Sequence, residues 1–126
     1  MIKFRAWDKE ENKMWNVETL YIEDEWVKVN DGSIYGVTKD LVRDYIVMQA
    51  TGTRYIYDEK GKEIFEGDIV KTRASEYGRF IGYVDNAISH FEVRGVKQYK
   101  GLSVDLDGTC EIIGNIYENP ELLEGE

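Results

Sequence analysis

The chain of 126 residues has one cysteine, one histidine and one proline, and the first two scarcities exclude whole classes of chemistry. Cys110 has no second thiol for an intramolecular disulfide, and a lone cysteine suits a reducing compartment. One thiol and one imidazole leave no zinc site, because structural zinc takes about four such ligands and catalytic zinc about three protein ligands. No run approaches the ~18 to 20 apolar residues of a membrane span. Met1-Ile2-Lys3-Phe4-Arg5 lacks the apolar stretch of a secretion signal. Neither a phosphate-cradling Gly-x-x-x-x-Gly-Lys-Ser/Thr loop nor a dinucleotide Gly-x-Gly-x-x-Gly is present, so nucleotide chemistry lacks its anchor. The expectation is a cytoplasmic chain with no metal, no cofactor and no membrane partner.

Hydrolytic machinery is equally thin. Ser89 and His90 are sequence neighbours, which does not make a nucleophile and base, since the two must meet side chain to side chain. Cys110 in Thr109-Cys110-Glu111-Ile112-Ile113 reads as a small packing residue of a strand. Asp105-Leu106-Asp107-Gly108 begins like a calcium loop, but Cys110 and Ile116 stand where an EF-hand needs glycine and glutamate. With 25 Asp and Glu, carboxylate pairs can be drawn anywhere and discriminate nothing. No catalytic residue is assigned, and the sequence reads as that of a non-enzyme.

Basic charge is also missing from one end. The net charge is −9, yet residues 101–126 hold no Lys or Arg against seven Asp and Glu, while residues 51–100 carry nine cations against eight acids. A basic surface can therefore sit on an acidic protein. At 42% hydrophobic and 13% aromatic residues, there is enough apolar material to offset chain entropy in one cooperative unit.

The apolar pattern is β throughout. Alternation over 2–6, short runs at 14–17, 20–22 and 26–29, and Asn30-Asp31-Gly32 between them predict strands joined by a turn. Within residues 36–44, Thr38 is read as the cap of a short helical turn through Asp40, Leu41 and Val42. Strands are expected next at 45–49, 54–57, 62–65, 68–73, 79–84, 90–94, 102–106 and 110–116, with Asp107-Gly108 as a hairpin turn. Many short strands with little helix favour a small barrel or sandwich. Asn119-Pro120-Glu121 predicts a closing helical turn that packs Leu122 and Leu123 back on the strands.

Gly61-Lys62-Glu63-Ile64-Phe65-Glu66-Gly67-Asp68-Ile69-Val70-Lys71 is the most distinctive segment. Gly67 between two acids suits a backbone position closed to a Cβ, with Ile64, Ile69 and Val70 supplying buried side chains. The functional alternative has Glu66 and Asp68 present a carboxylate pair at a barrel rim. With Ile2-Lys3-Phe4-Arg5-Ala6-Trp7-Asp8, Met48-Gln49, Thr51-Gly52 and Ile113-Gly114-Asn115-Ile116-Tyr117-Glu118-Asn119-Pro120-Glu121-Leu122-Leu123, this segment resembles the YopX family of bacteriophage and prophage proteins. Residues 53–57 depart from the family's usual polar turn, and residues 72–110 carry no family motif. The resemblance implies a mainly β, oligomeric protein in a bacterial host cell, containing an SH3-like small β-barrel, and it brings no biochemical activity with it. The organisation expected is a β-rich α+β subdomain over 1–44 and the barrel with its C-terminal tail over 45–126.

One stretch remains for binding. Arg73, Tyr77, Arg79, Phe80, Tyr83, Arg94, Lys97, Tyr99 and Lys100 interleave cations with aromatics, as single-stranded nucleic-acid surfaces do; half-buried strands with snorkelling cations give the same pattern and are preferred. The leading expectation is a homo-oligomer that binds a host or phage protein, with Leu122 and Leu123 as the oligomer contact. A nucleic-acid-binding accessory protein using residues 71–100 is the alternative.

Overall fold

The computed structural model describes residues 3–33, 36–51, 58, 60–75, 78–87, 90–106 and 110–123. They form two compact units, 1–50 and 51–126. The division expected at Tyr45 falls after Ala50, because Tyr45–Gln49 pairs with the first strand along its whole length. The expected strand over 54–57 and the Asp107-Gly108 turn lie outside the described residues.

Unit 1 is an antiparallel sheet of β1 (Phe4–Asp8), β2 (Lys13–Tyr21), β3 (Trp26–Asn30), β4 (Val37–Leu41) and β5 (Tyr45–Gln49), in the order β4-β3-β2-β1-β5. Its two edge strands are consecutive in sequence, joined only by the 3₁₀ turn Val42–Asp44. A flat sheet would separate those edges by four spacings of ~4.8 Å, about 19 Å. Four Cα steps of ~3.8 Å span at most about 15 Å, and a 3₁₀ turn spans less. The sheet must therefore curl, and Ala6, Trp15, Val27, Val29 and Tyr45 fill the hollow. The Tyr45 hydroxyl donates to Asp40 Oδ2 at 2.6 Å; burial first, then this carboxylate, raises the phenol's pKa above its ordinary value.

The helical turn expected from Thr38 is instead β4. Pairing with β3 from Trp26↔Leu41 to Asn30↔Val37 outweighs the local capping preference of one threonine. No α-helix occurs among the described residues of unit 1, so its expected α+β character is corrected to all β. Asp8, buried at the end of β1, accepts the backbone N–H of Glu10 and Glu11 and turns the chain into β2.

Unit 2 repeats the connectivity without repeating the sequence. Strands β6 (Asp68–Ser75), β7 (Gly78–Ala87), β8 (His90–Gly95), β9 (Ser103–Asp105) and β10 (Glu111–Asn115) lie in the order β10-β6-β7-β8-β9, so again the last strand returns beside the first. Val84, Val93 and Val104 form one row across β7, β8 and β9, and Ile64, Val70, Phe80 and Cys110 complete the core. Residues 62–65, expected as a strand, make only isolated bridges. In neither sheet do the edge strands pair among the described residues, so the arrangement is two antiparallel sheets, not a hydrogen-bonded closed barrel. No helix among the described residues is long and apolar enough to cross a membrane.

The distinctive motifs turn out to be fasteners. Gly67 has φ +85°, its N–H donates to the Val84 carbonyl and its carbonyl accepts from Ile116 N–H. Asp68 is buried and its Oδ2 accepts the Phe65 N–H at 2.8 Å, so this carboxylate is engaged in its own turn. Asn115 Oδ1 accepts from Tyr117 and Glu118 N–H. Asn119 stands at the N-cap of the closing turn as expected, but its Oδ1 accepts the Asn115 N–H and caps no N–H of the turn, and the turn Pro120–Leu122 is 3₁₀.

Candidate binding cavity

On unit 2, β8 ends at Gly95, and the loop from there to β9 shapes a cavity. A Cβ on Gly95 would sit 2.6 Å from the Tyr99 carbonyl carbon, closer than any side chain tolerates, so only glycine lets the 3₁₀ turn Lys97–Tyr99 close over the strand end. Tyr99 then drops onto Phe80, with ring centroids 5.0 Å apart. Gly101, at φ +91°, returns the chain toward β9.

The resulting cavity is about 550 Å³. Its wall includes the cross-strand row Tyr83, Arg94 and Ser103, on one face by register. Val96, Leu102 and Leu123 contribute apolar surface, and Lys97 and Lys100 stand at the loop. Lys97 holds φ +56°, a left-handed conformation that costs a lysine more than a glycine.

The cations are not equivalent. Arg94 Nε lies 2.8 Å from Asp85 Oδ2 and 3.1 Å from Glu92 Oε1, so its charge is already met. Lys97 and Lys100 are exposed, and their ammonium groups make no ion pair among the described residues. The surplus positive charge of the cavity is therefore theirs.

Of the expected binding residues, the structure brings together Tyr83, Arg94, Lys97 and Lys100. Arg79 is exposed on β7 but outside the cavity wall, Arg73 stands on β6, and Tyr77 lies outside the described residues. Tyr99 is turned to the core. Leu123, expected at an oligomer contact, lines this same cavity, while Leu122 packs near Gly114 of its own β10. Glu92, Val96, Leu102 and Ser103 are not legible in the sequence as cavity residues, because only the β7–β8–β9 register places them beside Tyr83 and Arg94.

His90 is half exposed, with Nε2 at 3.8 Å from Glu92 and 3.6 Å from Asp105. Cys110 is 1% exposed inside the core. Among the described residues no three His, Cys, Asp or Glu side chains gather to hold a metal ion. Unit 1 has its own, more apolar hollow of about 400 Å³, lined by Leu20, Ile22, Leu41, Val42 and Val47 among others.

The family model for YopX protein matches residues 3–124. The chain belongs to the YopX family. The crystal structure of protein yopX from Bacillus subtilis is similar over 97% of this chain and 98% of its own, at 23% identity and a TM-score of 0.60, a likeness of fold. No curated protein sequence matches. The YopX match runs through residues 72–110 as well, the segment that carries no recognisable sequence motif.

Proposed function

We propose that this YopX-family chain is a non-enzymatic, homo-oligomeric β-module of phage or prophage origin that acts in the bacterial cytoplasm by binding a host or phage protein. The observation that carries the reading is the unit 2 cavity, where two lysines without ion-pair partners among the described residues border apolar surface. A mixed surface of this kind is suited to recognition, which uses apolar burial for affinity and charge for selection. The burial of Cys110 in the core and the pairing of Asp68 with its own turn support the non-enzymatic part. Unit 2 is read as an SH3-like small barrel, a reading supported by its last strand, β10, returning beside its first, β6.

The second reading, a nucleic-acid accessory protein, draws on Lys97, Lys100 and Tyr83. It is weakened by Tyr99, whose ring packs on Phe80 instead of offering a stacking face. Affinity recovery of a tagged full chain from lysogenic or infected cells, with and without nuclease, tests the choice. Protein binding requires a specific protein retained after nuclease treatment; a partner that disappears with nuclease transfers the function to nucleic acid.

A further inference from the structure

Resting on the protein-binding reading, we propose that the unit 2 cavity receives an extended acidic segment of the partner protein, its apolar side chains against Val96, Leu102 and Leu123 and its carboxylates at Lys97 and Lys100. Charge complementarity selects this occupant. Arg94 is occupied by Asp85 and Glu92, and Glu92 also borders the cavity, which disfavours a compact polyanion such as phosphate in the middle of the wall. The unmatched charge is confined to two lysines three positions apart on the loop. An extended chain can offer a carboxylate to each lysine, and its alternation leaves a second, apolar face for Val96, Leu102 and Leu123.

Lys97 adds a local argument. At φ +56° glycine would be less strained, so the lysine side chain stands beside the cavity at a conformational cost. An ammonium group held at the cavity for a ligand accounts for that cost.

The probe is a fluorescein-labelled six-residue peptide of alternating Glu and Leu, titrated with the full chain and read by fluorescence anisotropy; a Gln-for-Glu peptide is the control. The expected result is saturable binding that falls with salt, is absent for the control, and weakens about tenfold in a Lys97→Gln, Lys100→Gln double variant whose melting matches the parent. Failure of the acidic peptide to bind, or equal affinity for parent and double variant, overturns the inference. Competition by inorganic phosphate at equal charge, or tighter lysine-dependent binding of labelled oligothymidylate, also overturns it and reassigns the ligand class. Binding only to a Glu124→Gln, Glu126→Gln variant would assign the cavity to the chain's own tail instead. A partner protein recovered equally well by the parent and the lysine variant would leave protein binding standing while rejecting this cavity as its site.

Discussion

Asp58 shows how a single buried carboxylate can tie distant segments. Its Oδ1 accepts the N–H of Lys60 at 3.0 Å and Lys62 at 2.8 Å, while Oδ2 takes the N–H of Ile112 on β10 at 3.2 Å. Burial pushes the acid's pKa up, but the backbone donors of Lys62, Ile112 and Lys60 outweigh it and hold it below the ordinary value of 3.8. The folded state therefore binds this proton less readily than the unfolded chain. The stability it supplies is complete above the unfolded pKa and is lost as pH falls through the folded one. Asp58→Asn keeps one acceptor oxygen but opposes an N–H₂ to Ile112 N–H, and is expected to cost about 1 to 3 kcal/mol at neutral pH. Denaturant melts should show that gap narrowing below about pH 4; a constant gap from pH 7 to pH 2 would reject the charged role. At Lys97 the opposite sign is expected. Lys97→Gly should raise stability by up to ~1 kcal/mol by relieving the left-handed backbone, and in the same variant weaken binding of the acidic peptide; a destabilised variant would remove the strain argument.

At the scale of elements, the Gly95 turn builds the cavity, and it should be far less tolerant than its neighbour. Gly95→Ala forces a Cβ into the Tyr99 carbonyl, whereas Gly101 at φ +91° has nothing within 4 Å. The first substitution is expected to cost ~2 kcal/mol or more, the second about 1 kcal/mol of conformational strain alone. Comparable losses in thermal melts would show that the 3₁₀ turn does not depend on that close approach. The strands themselves are largely legible in the sequence. Tyr45–Gln49 has the predicted bounds, and β7, β8 and β10 lie within a few residues of theirs, because each is an apolar or aromatic run bounded by turn residues. β2 reads as two separate runs, since the register shift between Val17 and Thr19 breaks the period of two on which such reading rests. β4 escapes a pattern-based reading because a strand carrying Thr38, Lys39 and Asp40 has little apolar pattern of its own; pairing with β3 makes it a strand. The cavity is legible only in part, as its cations are visible in sequence and the neutralisation of Arg94 by Asp85 and Glu92 is not.

At the scale of the whole molecule, charge is segregated along the chain. Residues 101–126 carry seven acids and no cation, while the surplus cations Lys97 and Lys100 lie in the preceding stretch, in a cavity that Leu123 also lines. The acidic terminal stretch and the basic middle of the chain are complementary in sign, so self-association is the expected way for copies to offset charge outside the cavity. Apolar surface is available to add to it: Ile22 is 81% exposed, and Leu102 and Ile113 are each 37% exposed. The expected outcome is an oligomer at micromolar concentration in low salt. Screening at about 0.5 M salt, where the Debye length is roughly half that at 0.1 M, should reduce its size if ion pairing contributes. Removing residues 124–126 tests the tail without disturbing the packing of Leu122 near Gly114. Light scattering decides between the outcomes. A monomer in low salt would reject self-association, and an oligomer unchanged by both salt and truncation would place its interface on the apolar surfaces and remove the acidic tail from it.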